Sequence, residues 1–438
     1  MKDISSTGSF INFYLNNYIY VDKTQYIRDL IKLERVFISR PRRFGKSLTL
    51  DTIATLFETG VEPYFKGTWI YDKWTEPTYP VLRLNFLDLD KYSLEHFKQK
   101  LNAIISSFAR DINVKNYEEK VEPEDTIYFL LDELRKEKRQ IVILIDEYDC
   151  QMTANINNET LYKQFQEKIK SFYATIKNKW PIKFLGITGV TRLKDVEIFS
   201  IGSDINDITN DSVYSQMIGF TRDEIKKYYI DYLKLAASYE NKCRVEEVTD
   251  TQIESMLDMM AQNYDGYCFD EFYKKKVFST WSVNKFFQSV VSNKFVYFGE
   301  YWYDNDGLPS ILVNYLKTHE LNIFEYLDKD KFLKVSCDDF KNPTALTTIN
   351  QNVLMCQTGY LTLRSDLNKT STVALGIPNG EIYKALNRLL ANNIFKGNTD
   401  ITDDYGRSLL EVGTVDDIIN LFNSALNSVS YDNYPIVS

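Results

Sequence analysis

The residues best suited to chemistry stand together near the N-terminus, in Arg40-Pro41-Arg42-Arg43-Phe44-Gly45-Lys46-Ser47. They follow a short apolar run, Val36-Phe37-Ile38. They open a segment in which Leu48, Ile53, Leu56 and Phe57 recur on a helical spacing until Gly60. Gly-Lys-Ser at a strand-to-helix junction is the core of a phosphate-binding loop. Loop amides and the helix N-terminus surround an anionic phosphate. The lysine reaches the β- and γ-phosphates, and the serine hydroxyl ligates Mg²⁺. Nucleotide contacts are therefore expected from Arg42, Arg43, Phe44, Gly45, Lys46, Ser47 and Leu48. The full pattern G-x-x-x-x-G-K-[ST] asks for glycine where this chain has Arg40. A side chain there removes the backbone freedom that glycine offers. Arg40, Arg42 and Arg43 are candidates for charge-assisted contacts to phosphate. The alternative for Arg42 and Arg43 is solvent exposure or pairing with an acid such as Asp149.

A second constellation completes the chemistry. Ile141-Val142-Ile143-Leu144-Ile145 is an apolar, β-branched run that ends in Asp146-Glu147. A strand of that kind is covered on both faces, as in the middle of a parallel sheet. An aspartate at its carboxyl edge holds Mg²⁺ together with Ser47. The glutamate after it polarises the attacking water as general base. Downstream, Thr188-Gly189-Val190-Thr191-Arg192 closes another strand. Arg192 there is a candidate for sensing the γ-phosphate. The competing reading is a loop arginine paired with Asp195 or Glu197. The catalytic set expected from the residues is thus Lys46, Glu147 and Arg192, with a nucleoside triphosphate and Mg²⁺ as ligands.

The elements that must position these groups follow from periodicity. Strands are expected at Arg35 to Ser39, Val81 to Phe86, Ile141 to Ile145 and Ile182 to Thr188, with a fifth at Tyr214 to Ile218. Between them, Leu94, Phe97, Leu101, Ile104, Ile105, Phe108 and Ile112 form one helical stripe. Another helix opens at Pro123-Glu124-Asp125 and closes in Arg135-Lys136-Glu137-Lys138-Arg139, acids first and bases last, as the helix dipole favours. Leu161, Phe165, Ile169, Phe172 and Ile176 mark a third. Strands alternating with helices make βαβ units: an α/β fold with a doubly wound parallel sheet. Thr221 and Glu224 have the spacing of a capping box, and from there the chain reads mostly helical. The expected division is a polar lead-in over 1–30, a P-loop core over 31–220, a helical segment over 221–320 and a mostly helical C-terminal region over 321–438.

Composition narrows the class. The chain has 438 residues, 44% hydrophobic, with a net charge of −9 and interspersed signs. At ~100–200 residues per domain it makes roughly two to four domains. An acidic balance argues against a nucleic-acid clamp over the whole surface. Five scattered cysteines with no C-x-x-C read as reduced thiols, and two histidines make a His-rich metal site unexpected. With no signal peptide and no apolar run of ~18 residues, a cytoplasmic protein without a membrane span is expected.

These motifs together resemble the prokaryotic AAA-ATPase-like family. The resemblance is carried by Tyr20-Val21-Asp22-Lys23-Thr24, by Ser39 through Ser47, and by Ile145-Asp146-Glu147-Tyr148-Asp149. It continues through Gly189-Val190-Thr191-Arg192, Gly219-Phe220-Thr221, Asn263-Tyr264-Asp265-Gly266-Tyr267, Gln357-Thr358-Gly359-Tyr360-Leu361 and Leu375-Gly376-Ile377-Pro378-Asn379. It implies an ATPase core of the AAA+/STAND type followed by a helical lid, with arginine at position 40 typical rather than degenerate. Gly307-Leu308-Pro309 is similar to the Gly-x-Pro of STAND lids. Family members often carry a C-terminal PD-(D/E)XK nuclease domain after a segment resembling Ser430-Tyr431-Asp432-Asn433-Tyr434-Pro435. No Asp…Glu-x-Lys pattern follows a strand after residue 400, so no nuclease site is expected in this chain. The expected function is an ATP-driven conformational switch for a nucleic-acid-related effector, a nuclease or other protein. Two alternatives stay open: a nucleotide-binding module with negligible hydrolysis, and a nucleic-acid-binding protein using its C-terminal helices.

Overall fold

The computed structural model describes residues 1–177, 179–193, 204–302, 310–316, 319, 325–326, 328–343, 345–394, 414 and 416. Helices α1 (Phe10–Leu15) and α2 (Thr24–Leu30) lead into β1 (Arg35–Ser39) and α3 (Lys46–Thr59). Then come β2 (Val81–Asn85), α4 (Leu94–Asp111), α5 (Pro123–Lys136), β3 (Ile141–Asp146), α6 (Cys150–Ala154), α7 (Glu159–Ile176), β4 (Ile182–Gly189) and β5 (Asn206–Asp207). The five strands form one parallel sheet in the order β2-β3-β4-β1-β5. Register pairs Phe37 of β1 with Ile187 of β4 and, on the other side, with Asp207 of β5. The chain leaves β1 for the far edge at β2, returns through β3 and β4, then crosses β1 to β5. The carboxyl end of β1 is therefore a topological switch point, where open α/β sheets bind ligands.

The elements form for the reasons their sequences give. Ile141 to Ile145 of β3 are all buried, as a central strand requires. Helix α5 opens on Pro123 with Glu124 and Asp125 in its first turn and closes on Arg135 and Lys136. Helix α8 (Arg222–Tyr228) starts in the expected capping box, with Thr221 Oγ1 accepting from the Glu224 N–H and Glu224 accepting from the Thr221 N–H.

Two expectations need correction. The fifth strand is not Tyr214 to Ile218. There, Tyr214 N donates to Asp211 O and Met217 N to Tyr214 O, so the backbone coils in tight turns and buries Tyr214, Met217 and Ile218 at turn spacing. The sheet's fifth strand is the two-residue β5, too short and polar to signal itself. Residues 1–30 are also more than a polar lead-in. Phe10 and Phe13 of α1 and Ile27 and Leu30 of α2 are buried.

After α8 come α9 (Ile230–Asn241), α10 (Asp250–Tyr264), α11 (Thr280–Asn293) and α12 (Ser310–Leu316). Helices α8 to α11 share a buried cluster of their own, joined by Ile19 and Val21 from the N-terminal segment. The chain continues through β6 (Leu333–Ser336), α13 (Cys337–Lys341), α14 (Gln351–Thr358), β7 (Thr362–Leu363), β8 (Thr372–Gly376) and α15 (Gly380–Ile394). The three strands make a small antiparallel sheet, β6-β8-β7, that the helical reading of this region did not name. Its apolar residues, with Tyr267, Trp302 and the buried face of α15, belong to the same core cluster as the parallel sheet. The segments 194–203 and 303–309 and most of the tail beyond 394 lie outside the described residues. Asp195, Glu197, Gly307-Leu308-Pro309 and Ser430 to Pro435 fall there.

Candidate functional site

The loop between β1 and α3 turns on Gly45. This residue is the N-cap of α3 and has φ of 101°, a conformation glycine takes without strain. Its turn leaves the first amides of α3 at the mouth of the loop, where a helix begins with unpaired N–H groups. Lys46 is buried, and its Nζ donates to the carbonyls of Arg40 (3.0 Å) and Pro41 (3.3 Å). Ser47 Oγ donates to Asp146 Oδ2 at 2.5 Å. The other oxygen of Asp146 accepts from the Thr188 hydroxyl and from the Glu147 N–H. Glu147 has φ of 52°, a left-handed conformation rare for a side chain of its kind. Its Oε1 lies 3.6 Å from Lys46 Nζ. Burial pushes the Glu147 carboxyl above its ordinary range, while the Lys46 charge pulls it back. Lys46 and Ser47 at the start of α3 thus stand beside Asp146 and Glu147 at the end of β3.

The donor set fits magnesium. Ser47 and Asp146 present hard oxygens side by side, and Mg²⁺ keeps several waters while taking the rest of its shell from phosphate. No group of three or more His, Cys, Asp or Glu residues that could hold a metal occurs among the described residues.

A cavity of about 510 Å³ opens against this loop, within the range of small-ligand sites. Arg42, Arg43, Phe44, Gly45, Lys46, Ser47, Leu48 and Glu147 border it. The remaining walls were not foreseen. They come from residues 5–8 and 19–23, from the turn at 217–220, and from Thr280, Trp281 and Asn284 on α11. Val21, Ile218, Phe220, Tyr229 and Trp281 give it an apolar, aromatic lining. Segments far apart in the chain build that lining, so no local pattern announces it. Lys23 ties two of the walls, donating to Gln216 O (2.7 Å) and pairing with Glu224 (2.6 Å).

Several expected contacts lie elsewhere. Arg40 does not face phosphate. It is 1% exposed, its Nη1 donates to Ser39 O (2.9 Å) and Thr209 O (2.6 Å), and its guanidinium lies 4.1 Å from the Phe269 ring centroid. Burial lowers it to about 9, with the Asp207 charge opposing, so it remains protonated at neutral pH. The guanidinium of Arg43 turns from the loop to the carbonyls of Tyr301 (2.8 Å) and Trp302 (2.9 Å), over the Trp281 ring. Phe44 is buried edge-on against Tyr267, Phe269 and Trp302. What Arg43 and Phe44 can offer phosphate is backbone. Arg42 alone of the three arginines is exposed beside the cavity. Arg192 is not brought to the loop either. It pairs with Asp207 at the end of β5, and its backbone exchanges bonds with the Gln357 side chain. Asp149 is committed as well, accepting from the Thr191 N–H (2.7 Å) and hydroxyl (2.5 Å).

Residues 5–199 match the model of a family described as predicted AAA-ATPase. That match spans less than half of the chain. The matched segment contains both the β1–α3 loop and the Asp146-Glu147 end of β3. Over 431 residues, the chain is 26% identical to an uncharacterized protein in the vnfD 5′ region of Azotobacter chroococcum mcd 1, covering 96% of this chain and 76% of that one. Among solved structures, Cdc6p from Pyrobaculum aerophilum matches at 12% identity and a TM-score of 0.26, over 84% of this chain and 93% of that one. The Aeropyrum pernix ORC1 protein, solved in complex with DNA, matches at 10% identity and a TM-score of 0.31, over 87% and 97%. No helix among the described residues is long and apolar enough to cross a membrane.

Proposed function

We propose that this chain binds ATP with Mg²⁺ at the β1–α3 loop and hydrolyses it, using the cycle as a conformational switch. The reading is carried by one observation: Ser47 and Asp146 meet at 2.5 Å at the carboxyl edge of the sheet, with Lys46 and Glu147 beside them. In this reading the amides from Arg43 to Leu48 take the phosphates, and Lys46 exchanges its loop carbonyls for phosphate oxygens. Ser47 and Asp146 hold Mg²⁺, which neutralises charge on the phosphates when bound. Glu147, freed from Lys46, accepts the proton of a water as its oxygen bonds to the γ-phosphorus and the β–γ bridge breaks. Its raised proton affinity suits that role. The aromatic residues of the cavity lining take the base. Arg192 plays no direct part while it is held by Asp207. Effector choice, a nuclease or another protein, would be read from residues 221–438, whose α11 contributes a cavity wall.

Equilibrium binding of a fluorescent ATP analogue tests the site. Lys46→Ala should weaken binding by about tenfold or more, which is ~1.4 kcal/mol. Equal affinity in both proteins would show that the nucleotide sits elsewhere.

A further inference from the structure

The phosphate loop is bound to segments more than 200 residues further along the chain. Arg43 is the centre of that attachment. Its guanidinium donates to Tyr301 O and Trp302 O, and its own carbonyl accepts from the Trp281 N–H (3.3 Å) and the Thr280 hydroxyl (2.9 Å), at the first turn of α11. A helix start has N–H groups that need acceptors, and here the phosphate loop supplies one. The Trp281 indole N–H donates to the same Tyr301 carbonyl (3.0 Å).

Behind this layer lies Glu381, near the start of α15 and 2% exposed. One carboxyl oxygen accepts from the Trp302 N–H (2.7 Å) and the other from the Ser282 hydroxyl (2.7 Å). Trp302 therefore gives its carbonyl to Arg43 and its amide to Glu381. Ser282 gives its hydroxyl to Glu381 from the helix whose start holds the Arg43 carbonyl. Trp302 also packs on Phe44. Gly359, at the end of α14, sits so close to Pro41 and Trp302 that a Cβ there would approach each to 2.9 Å. Two routes run from Glu381 to the loop, one through Trp302 and one through α11, and both meet at Arg43.

We propose that Glu381 is a positioning residue of the phosphate loop. It fixes Trp302 and the start of α11, these fix Arg43, and the loop holds its shape because both ends of Arg43 are anchored. The loop and α15 are then two parts of one hydrogen-bonded unit. A nucleotide that orders the loop stabilises the seat of α15, and loss of that seat loosens the loop. This rests on the reading of the loop as a nucleotide site only for its affinity arm; the geometry of the unit stands without it.

The experiment uses the full chain and a double-mutant cycle, which isolates coupling between residues that act as a unit. Arg43→Met and Glu381→Leu are each expected to weaken binding of a fluorescent ATP analogue with Mg²⁺ by about tenfold, and the double variant by no more than the worse single. Glu381→Gln, which keeps one acceptor oxygen, should restore affinity to within about threefold of wild type. In the nucleotide-free protein, Glu381→Leu should speed amide hydrogen exchange in residues 40–47 while leaving β3 unchanged. Additive losses in the double variant, or unchanged exchange in 40–47, would overturn the proposal. General destabilisation would instead raise exchange in β3 too, and would also count against it. If Glu381→Leu does not fold, Ser282→Ala replaces it, with a smaller increase in 40–47 exchange expected and no increase contradicting the proposal. If wild type binds no nucleotide, the reading of the site fails while the exchange measurement still decides the role of Glu381.

Discussion

The hydroxyl of Ser47 donates to Asp146 across 2.5 Å, closing a gap of 99 positions in the chain. The bond joins the first turn of α3 to the end of β3, and Thr188 from β4 holds the other Asp146 oxygen. Three neighbouring parts of the sheet edge therefore converge on one carboxylate.

The first prediction follows from that convergence. A cation held by Ser47 Oγ and the Asp146 oxygen beside it should make nucleotide binding depend on Mg²⁺, by about tenfold or ~1.4 kcal/mol in wild type. Ser47→Ala and Asp146→Asn should flatten a magnesium titration. A full response in both variants would place the metal on other ligands.

Arg40 gives the second prediction, and it runs against the motif. Substituting the glycine that the full pattern requests should not improve the site. Arg40→Gly removes a side chain that fills space under Phe269 and satisfies the carbonyls of Ser39 and Thr209. The expected loss is about 2–4 kcal/mol from the cavity and the unpaired acceptors. Urea denaturation measures it, and a neutral or stabilising result would mean the buried guanidinium is not supported by these contacts.

The contrast shows what was legible. That Lys46 and Ser47 stand beside Asp146 and Glu147 could be read because their motifs follow apolar runs that become neighbouring parts of one parallel sheet. Strands β1 to β4 could be read because burial on both faces or on one demands apolar runs. Arg40, Arg43 and Phe44 could not be sorted, since arginines beside a phosphate loop look alike until Thr209, Trp302 and Tyr267 arrive from distant sequence. The segments quoted for the family resemblance held the signal: Tyr267 packs on Phe44, Gln357 binds Arg192, and Gly359 touches Pro41. Strand β5 and the cavity walls at 5–8 and 217–220 left no local pattern to read.

Arg192 supplies the third prediction. Its ion pair with Asp207 is partly exposed, so Arg192→Ala should cost about 1 kcal/mol of stability. Nucleotide affinity should stay within about threefold, or ~0.7 kcal/mol. A loss near that of Lys46→Ala would mean that Arg192 leaves Asp207 to meet the nucleotide.

The fourth prediction concerns pH. Burial pushes the Glu381 carboxyl up to about 8 from an ordinary 4.5, with Glu300, itself paired with Arg388, adding to the rise and the Ser282 and Trp302 bonds opposing it. Between those values the folded chain holds a proton that the unfolded chain has lost. Stability from this group is therefore full below 4.5 and falls as pH rises toward 8. Melting temperatures of wild type should decline more steeply across that window than those of Glu381→Gln. Parallel profiles would show that the carboxyl is ionised in the fold throughout.

Hydrolysis at this loop is read as phosphate release from the purified full chain with ATP and Mg²⁺. Wild type should release phosphate. Lys46→Ala should slow release by about 100-fold through lost charge stabilisation, and Glu147→Gln by a similar factor through the lost general base. Glu147→Gln should still bind ATP. Wild-type rates in both variants would contradict the account.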